Sequence, residues 1–304
     1  MRIDLLSEDK VVITVAITGG IHGKWANPNL PITAEEQAQD VLECYEAGAS
    51  IVHVHVRGED GQNTPDLKYY NKTIKLIEEK CPIIKQIGNG IGAWLETTTR
   101  TMKSGRKLVH SEIVQPTLED RLNLLNIYPP PEMHTINAGT FQFRTQYGSI
   151  TFENPMEFNR KYINRCKKKG FGIEIEVYDS SHIANILELV DEGYLLPPLH
   201  FSIVLGIKGG APATIENLIN LVHQIPEGST WQVVTVGKFN LRTTLIAMCM
   251  GANVRTGLED TIYYQKGELV QSNAQLVKRM VRLAKEIGKE PATVDEAKSI
   301  LGLK

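Results

Sequence analysis

Within the seven residues Ile51-Val52-His53-Val54-His55-Val56-Arg57, two imidazoles and a guanidinium alternate with aliphatic side chains. In a strand, residues two apart point to the same face, so His53, His55 and Arg57 are expected to project together, with Ile51 starting the row. Neutral imidazole is a good ligand for a borderline metal such as zinc, and two on one strand face make half a site. The same residues could also be buried histidines bonded to backbone carbonyls. The choice turns on a third ligand. Four carboxylates sit where strands end: Glu174, Glu176, Glu259 and Asp260.

The elements that would hold these groups alternate along the chain. Strands are expected at residues 11–18, 51–57, 82–87, 135–138, 173–178, 199–205, 231–236 and 253–256 from short β-branched runs that end in glycine or polar residues. Helices are expected at 33–47, with Thr33 and Glu36 forming a capping box, and at 67–80, 117–126, 156–169, 182–191, 214–224, 241–250, 273–287 and 293–301. A polar stretch at 95–103 reads as a further helix, and residues 109–116 give no clear pattern. Eight strand-helix units imply parallel pairing with right-handed crossovers, and a single (β/α)8 TIM barrel over residues 1–304 with extra C-terminal helices. The competing fold is a doubly wound sheet, but no strand is followed by GxGxxG and no GxxxxGK[ST] is present.

Composition sets the setting. Over 304 residues, 42 % are hydrophobic and 22 % charged, the balance of an ordinary globular protein. A net charge of −2 gives no basic excess to hold nucleic acid or an anionic membrane surface. Cys44, Cys81, Cys166 and Cys249 are scattered, as free thiols in a reducing compartment are. The N-terminus lacks the apolar run of a signal peptide, and no stretch approaches a membrane span. A cytoplasmic enzyme is the expectation, with a non-catalytic binding barrel as its rival.

In a barrel the C-terminal strand ends converge on one mouth, where barrel active sites lie. Thr18, Arg57, Asn89, Thr140, Glu176, Lys208, Lys238 and Glu259-Asp260 occupy those ends. The eighth strand closes beside the first and within reach of the second, which favours Glu259 or Asp260 over strand five as the third ligand. Arg255, in the same segment, would keep a neighbouring Asp ionised and oriented for work as a base. The plainer reading of this segment is a surface ion pair in a loop.

Taken in order, Ala16-Ile17-Thr18-Gly19, Asn29-Leu30-Pro31-Ile32-Thr33, Glu46-Ala47-Gly48-Ala49, His53-Val54-His55-Val56-Arg57, Asn137-Ala138-Gly139-Thr140, Glu174-Ile175-Glu176-Val177-Tyr178, Arg255-Thr256-Gly257-Leu258-Glu259-Asp260 and Gln271-Ser272-Asn273-Ala274 resemble the β-keto acid cleavage enzymes. The resemblance covers nearly the whole chain. It implies a barrel that binds Zn2+ through His53, His55 and Glu259, with Asp260 as general base held by Arg255. It also implies that a β-keto acid reacts with acetyl-CoA to give acetoacetate and a new acyl-CoA. Thr140 and Glu176 match positions that line the substrate pocket, and the family tends towards homotetramers.

Two segments depart from the pattern. Where family members that act on an amino-keto acid carry a Glu suited to its ammonium group, this chain has Ile21 followed by His22, which argues against such a substrate. Where the family has Ser-Thr-Gly-Gly after strand three, this chain has Gly88-Asn89-Gly90-Ile91, so a hydroxyl is missing and Asn89 is the donor that could replace it. These departures keep a second chemistry open: a metal-dependent aldolase or hydrolase acting on a small carboxylate without CoA.

Overall fold

The computed structural model describes residues 9–101, 107–145 and 148–303. Eight parallel strands close into a barrel in sequence order: β1 (Ile13–Ala16), β2 (Ile51–Val54), β3 (Ile84–Ile87), β4 (Met133–Asn137), β5 (Gly172–Val177), β6 (His200–Leu205), β7 (Thr230–Thr235) and β8 (Asn253–Thr256). β8 pairs with β1 through Val254↔Ile13 to Thr256↔Val15, and β1 with β2 through Thr14↔Ile51 to Ala16↔His53. The barrel expectation holds, and with it the neighbour relation that favoured Glu259 and Asp260.

The strands alternate as the pleat requires. Ile13, Val15, Val52, Val54 and Val254 belong to one apolar cluster shared with the helices α1 (Ala34–Glu46) and α2 (Leu67–Lys80) and the later helix Asn273–Glu286. Ile175, Val177, Phe201, Ile203, Trp231 and Val233 do the same on the other side, against the helices Met156–Lys169, Ser180–Asp191 and Ile215–Gln224. The intervening residues turn inward: Thr14, His53, Gln86, Glu174, Ser202, Gln232 and Arg255, all buried. At the N-terminal end Val12, Ile51, Ile84 and Met133 form an apolar plug that packs against Val294, Ile300 and Leu301 of the last helix, Val294–Leu301. Burial of each such aliphatic side chain is worth about 1.5–3 kcal/mol.

Helix starts follow local chemistry. Thr33 and Glu36 form the expected capping box on α1, and Asp66 caps α2 through the Lys68 N–H. One expectation fails. Residues 95–101 are not helical: Trp94–Thr101 is a strand paired antiparallel with Lys107–Val114, from Trp94↔Val114 to Thr101↔Lys107, while 102 and 103 lie outside the described residues. Three consecutive threonines, Thr97 to Thr99, favour the pleated chain over the helix. A second hairpin, Phe141–Thr145 with Gly148–Phe152, follows β4 where the sequence pattern gave no element. Both hairpins rise from loops at the C-terminal ends of strands. Among the described residues, no helix is long and apolar enough to cross a membrane.

Candidate metal centre

The inward alternation of β2 brings His53 and His55 to the mouth, 2 % and 7 % exposed. Their Nε2 atoms lie 3.2 Å apart. Glu259 comes from the loop after β8, with Oε2 3.9 Å from His53 Nε2 and Oε1 3.8 Å from His55 Nε2. One ligand atom from each of the three lies within 4.8 Å of the others. A tetrahedral zinc with Zn–N of about 2.1 Å needs its two nitrogens about 3.4 Å apart, so the imidazoles are close to the required spacing. Glu259 Oε2 is buried without a hydrogen-bond partner, as an atom kept for a ligand would be. The donor set fits a divalent metal.

Gly257 makes this approach possible. Its φ is +148°, and a Cβ there would lie 2.0 Å from the Ala16 carbonyl oxygen. The chain therefore crosses β1 tightly, and the Glu259 N–H donates to that same oxygen at 3.1 Å. Gly88, at the end of β3, faces the imidazoles directly. A Cβ there would lie 3.1 Å from His53 Nε2 and 3.3 Å from His55 Cε1.

Arg255 organises the acids. Its Nη2 donates to Glu259 Oε1 at 2.8 Å and its Nε to Asp260 Oδ2 at 3.1 Å, and Nη1 lies 3.9 Å from Glu176 Oε1. The neighbouring charges act unequally. Burial would raise Glu259, but Arg255 and the two histidines outweigh it and hold the carboxyl at about 2. Asp260 is pushed up to about 6, by burial first and by the Glu259 charge, against the pull of Arg255. Burial raises Glu176 to about 7. Burial lowers both imidazoles, His55 to about 4, so they are neutral donors near pH 7. An ionised ligand carboxylate therefore stands beside a carboxylate with a proton affinity suited to general base work.

The other candidates have their own places. Arg57 does not join the metal row; its guanidinium is spent on the carbonyls of Gly19, His22 and Gly61, tying down the loop after β1. His22 lies on that loop with Nδ1 buried and unpartnered, edge-on to the exposed Trp25. Asn89 is fully buried, accepts from Asn137 Nδ2 at 2.7 Å, and keeps an unpartnered Nδ2. Glu176 accepts from the Tyr178 hydroxyl at 3.0 Å. Thr140 is exposed; its hydroxyl accepts from the Asn154 N–H, and it lines a cleft of about 560 Å³ with Phe141, Gln142, Arg144, Thr151, Asp179 and Gly209. The Lys208 carbonyl accepts from the Arg144 N–H, which seats the Phe141–Phe152 hairpin beside the loop after β6.

Sequence reasoning missed Gln86 and the group around Glu174. Glu174 stands two residues before Glu176, about 7 Å nearer the apolar plug. It accepts from Ser202 Oγ at 2.5 Å, Gln86 Nε2 at 2.8 Å and Gln232 Nε2 at 3.1 Å, and His200 Nε2 lies 3.2 Å away. Gln86 Oε1 in turn meets His53 Nδ1 at 2.7 Å. A signal was present in β3 and β7: a Gln at an inward position of a short strand, in register with a polar residue of the neighbouring strand (His53↔Gln86, Ser202↔Gln232).

Comparison with known proteins gives the family. The family model for beta-keto acid cleavage enzyme matches residues 10–303. The chain is 39 % identical over 300 residues to the 3-keto-5-aminohexanoate cleavage enzyme of Fusobacterium nucleatum, covering 97 % of this chain and 99 % of that one. It is 30 % identical over 296 residues to the 3-oxoadipate:acetyl-CoA acetyltransferase of Cupriavidus necator, covering 96 % and 94 %. Among solved structures, apo ObcA superposes with a TM-score of 0.73 at 16 % identity, a likeness of fold, and the match covers 91 % of this chain and 66 % of that longer one. By the extent of the family match and the identity of these full-length relatives, the chain belongs to the β-keto acid cleavage enzymes.

Proposed function

We propose that this protein is a zinc-dependent transferase that exchanges acyl groups between a β-keto acid and acetyl-CoA, giving acetoacetate and the acyl-CoA of the remaining fragment. Support for the reaction class comes from the relatives, which are named for β-keto acid cleavage and for acetyl-CoA-dependent transfer. The observation that carries the site is the convergence of His53, His55 and the unpartnered Oε2 of Glu259 beside Asp260.

His53, His55 and Glu259 would hold the metal. Bound there, zinc would supply Lewis acidity that makes the carbon beside the ketone of the keto acid easier to deprotonate. Asp260 then removes a proton from that carbon, and the Arg255 Nε–H holds its carboxylate in place. The carbon keeps the C–H electron pair and attacks the thioester carbonyl of acetyl-CoA, expelling CoA thiolate. The thiolate then attacks the original ketone carbonyl; the bond from that carbonyl to the α-carbon breaks, the acyl group leaves on CoA, and the α-carbon takes back its proton from Asp260 to give acetoacetate. Arg255 also keeps Glu259 ionised as a ligand. Gly88 leaves room beside the imidazoles, and Asn89 Nδ2 and His22 Nδ1 are spare polar groups for the substrate. Thr140 and Glu176 would line the substrate side. Ile21, 56 % exposed, offers no charge to an ammonium group, so the keto acid is one without an amino substituent.

The whole chain would work as one catalytic domain, in the cytoplasm, as a homotetramer. The deciding experiment incubates zinc-loaded protein and acetyl-CoA with a panel of β-keto acids and follows acetoacetate and new CoA thioesters. Product that requires both zinc and acetyl-CoA is expected. Turnover independent of acetyl-CoA sinks this reading in favour of a metal-dependent aldolase or hydrolase.

A further inference from the structure

We propose that Gln86 and Glu174 are positioning residues that lock His53 in the one tautomer able to bind metal through Nε2. The inference rests on the metal site above and follows from hydrogen-bond polarity. Glu174 sits at the centre of the barrel, fully buried, ringed by Ser202 Oγ, Gln86 Nε2, Gln232 Nε2 and His200 Nε2. An ionised carboxylate can only accept. It therefore turns the Nε2 end of the Gln86 amide towards itself, and the orientation of that amide is fixed by its partner. Gln86 Oε1 is then presented to His53 Nδ1 at 2.7 Å. An amide oxygen can also only accept, so His53 Nδ1 must carry the hydrogen. The lone pair is left on Nε2, the atom 3.2 Å from His55 Nε2 and 3.9 Å from Glu259 Oε2. A charge on β5 thus sets the protonation of a ligand on β2 through one neutral relay.

The relay makes a distinctive forecast for Glu174→Gln. A neutral amide at 174 offers hydrogens as well as an oxygen, so Gln86 can flip and donate to His53 Nδ1. The hydrogen then moves to Nε2, where it blocks the metal. Gln86→Met removes the acceptor altogether at nearly equal size.

The test reads two quantities: the zinc dissociation constant by chelator competition, and the His53 tautomer in metal-free protein by nitrogen NMR, with the His53 signals assigned by their loss in His53→Asn. In wild type, His53 is expected as the Nδ1–H form. Both variants are expected to bind zinc about 10–100-fold more weakly and to shift His53 towards Nε2–H or a mixture. Ser202→Ala, which removes a Glu174 donor but spares the relay, is expected to keep the wild-type tautomer. Where Glu174→Gln does not fold, Gln86→Met decides alone. Variants with the wild-type tautomer and zinc affinity within about twofold of wild type overturn the relay. Wild-type protein that takes up no zinc defeats the metal assignment instead, and the metal-free tautomer still decides the relay.

Discussion

Two polar clusters share the inside of this barrel, and they are built on opposite terms. Around Glu174, each carboxylate oxygen has a donor: Ser202 on one, Gln86 and Gln232 on the other. Burial alone would raise this acid, yet His200, Ser202 and Gln86 bring it down to about 2. At the mouth, Glu259 Oε2 and Arg255 Nη1 are buried without hydrogen-bond partners, and Asp260 and Glu176 are held above the ordinary carboxylate range by burial. A buried polar atom without a partner costs about 1–3 kcal/mol, so a fold that retains several in one place has a use for them there. The inner carboxylate has both oxygens met as folded, with Gln232 Oε1 left over beside it; the outer cluster leaves open the carboxylate oxygen a metal would take.

The largest effects belong to the outer cluster. His53→Ala and Glu259→Ala are each expected to lose the metal and to lower kcat/KM by about 1,000-fold or more, since the metal supplies several kcal/mol of charge stabilisation. Metal content and acetoacetate formation check this together. Metal retained at full occupancy in both variants removes the ligand assignment. Asp260→Asn separates binding from chemistry. It is expected to keep its metal while losing about 100- to 10,000-fold in rate, the range of a general base. A variant that keeps wild-type turnover takes Asp260 out of the reaction.

The inner cluster should answer in stability instead. Gln232→Leu removes the donor to Glu174 Oε2 and the donor to Ser202 Oγ. Glu174 Oε2 keeps Gln86, while Ser202 Oγ is left without a donor, so the predicted loss in urea unfolding is about 1–3 kcal/mol. Glu259→Ala removes the unpartnered Oε2 but also the acceptor of Arg255 Nη2, which keeps Asp260, so it too should cost about 1–3 kcal/mol in the metal-free protein. Added zinc separates the two: it should stabilise wild type and Gln232→Leu alike and leave Glu259→Ala unchanged, and a wild-type zinc response in Glu259→Ala would erase the distinction between the clusters.

Much of this was legible in the sequence, for identifiable reasons. The eight strands were readable because their outward faces are β-branched and their ends carry glycine, and the His-x-His row followed from a period of two. Glu259 and Asp260 emerged once barrel closure placed strand eight beside strand one. The same period puts Arg57 on the row but says nothing of the carbonyls it holds, one of them in a loop 35 residues earlier in the chain, at His22. The Thr97–Thr99 segment was misjudged because its polarity masked its strand preference. Gln86 and Gln232 stayed hidden because amides acquire meaning only from their partners, and those partners come from other strands.

A third buried group extends the comparison to pH. His134, on β4, is fully buried against Phe171, with Nδ1 3.0 Å from the Tyr162 hydroxyl, and the charge of Lys169 acts in the same direction as burial. Burial lowers it to about 3, against 6.5 unperturbed. The folded state therefore keeps it neutral where the unfolded chain takes up a proton. Its contribution is present above pH 6.5 and is lost progressively as pH falls towards 3. Between pH 7 and 5 this one residue should remove about 2 kcal/mol of stability. Other buried histidines add slopes of their own, so the quantity to measure is the difference between wild type and His134→Gln in urea unfolding at the two pH values. His134→Gln is expected to be less stable at pH 7 but to lose about 2 kcal/mol less on acidification. Parallel losses would mean that His134 is reached by water or protonated in place, and that burial in this barrel does not by itself hold a group neutral.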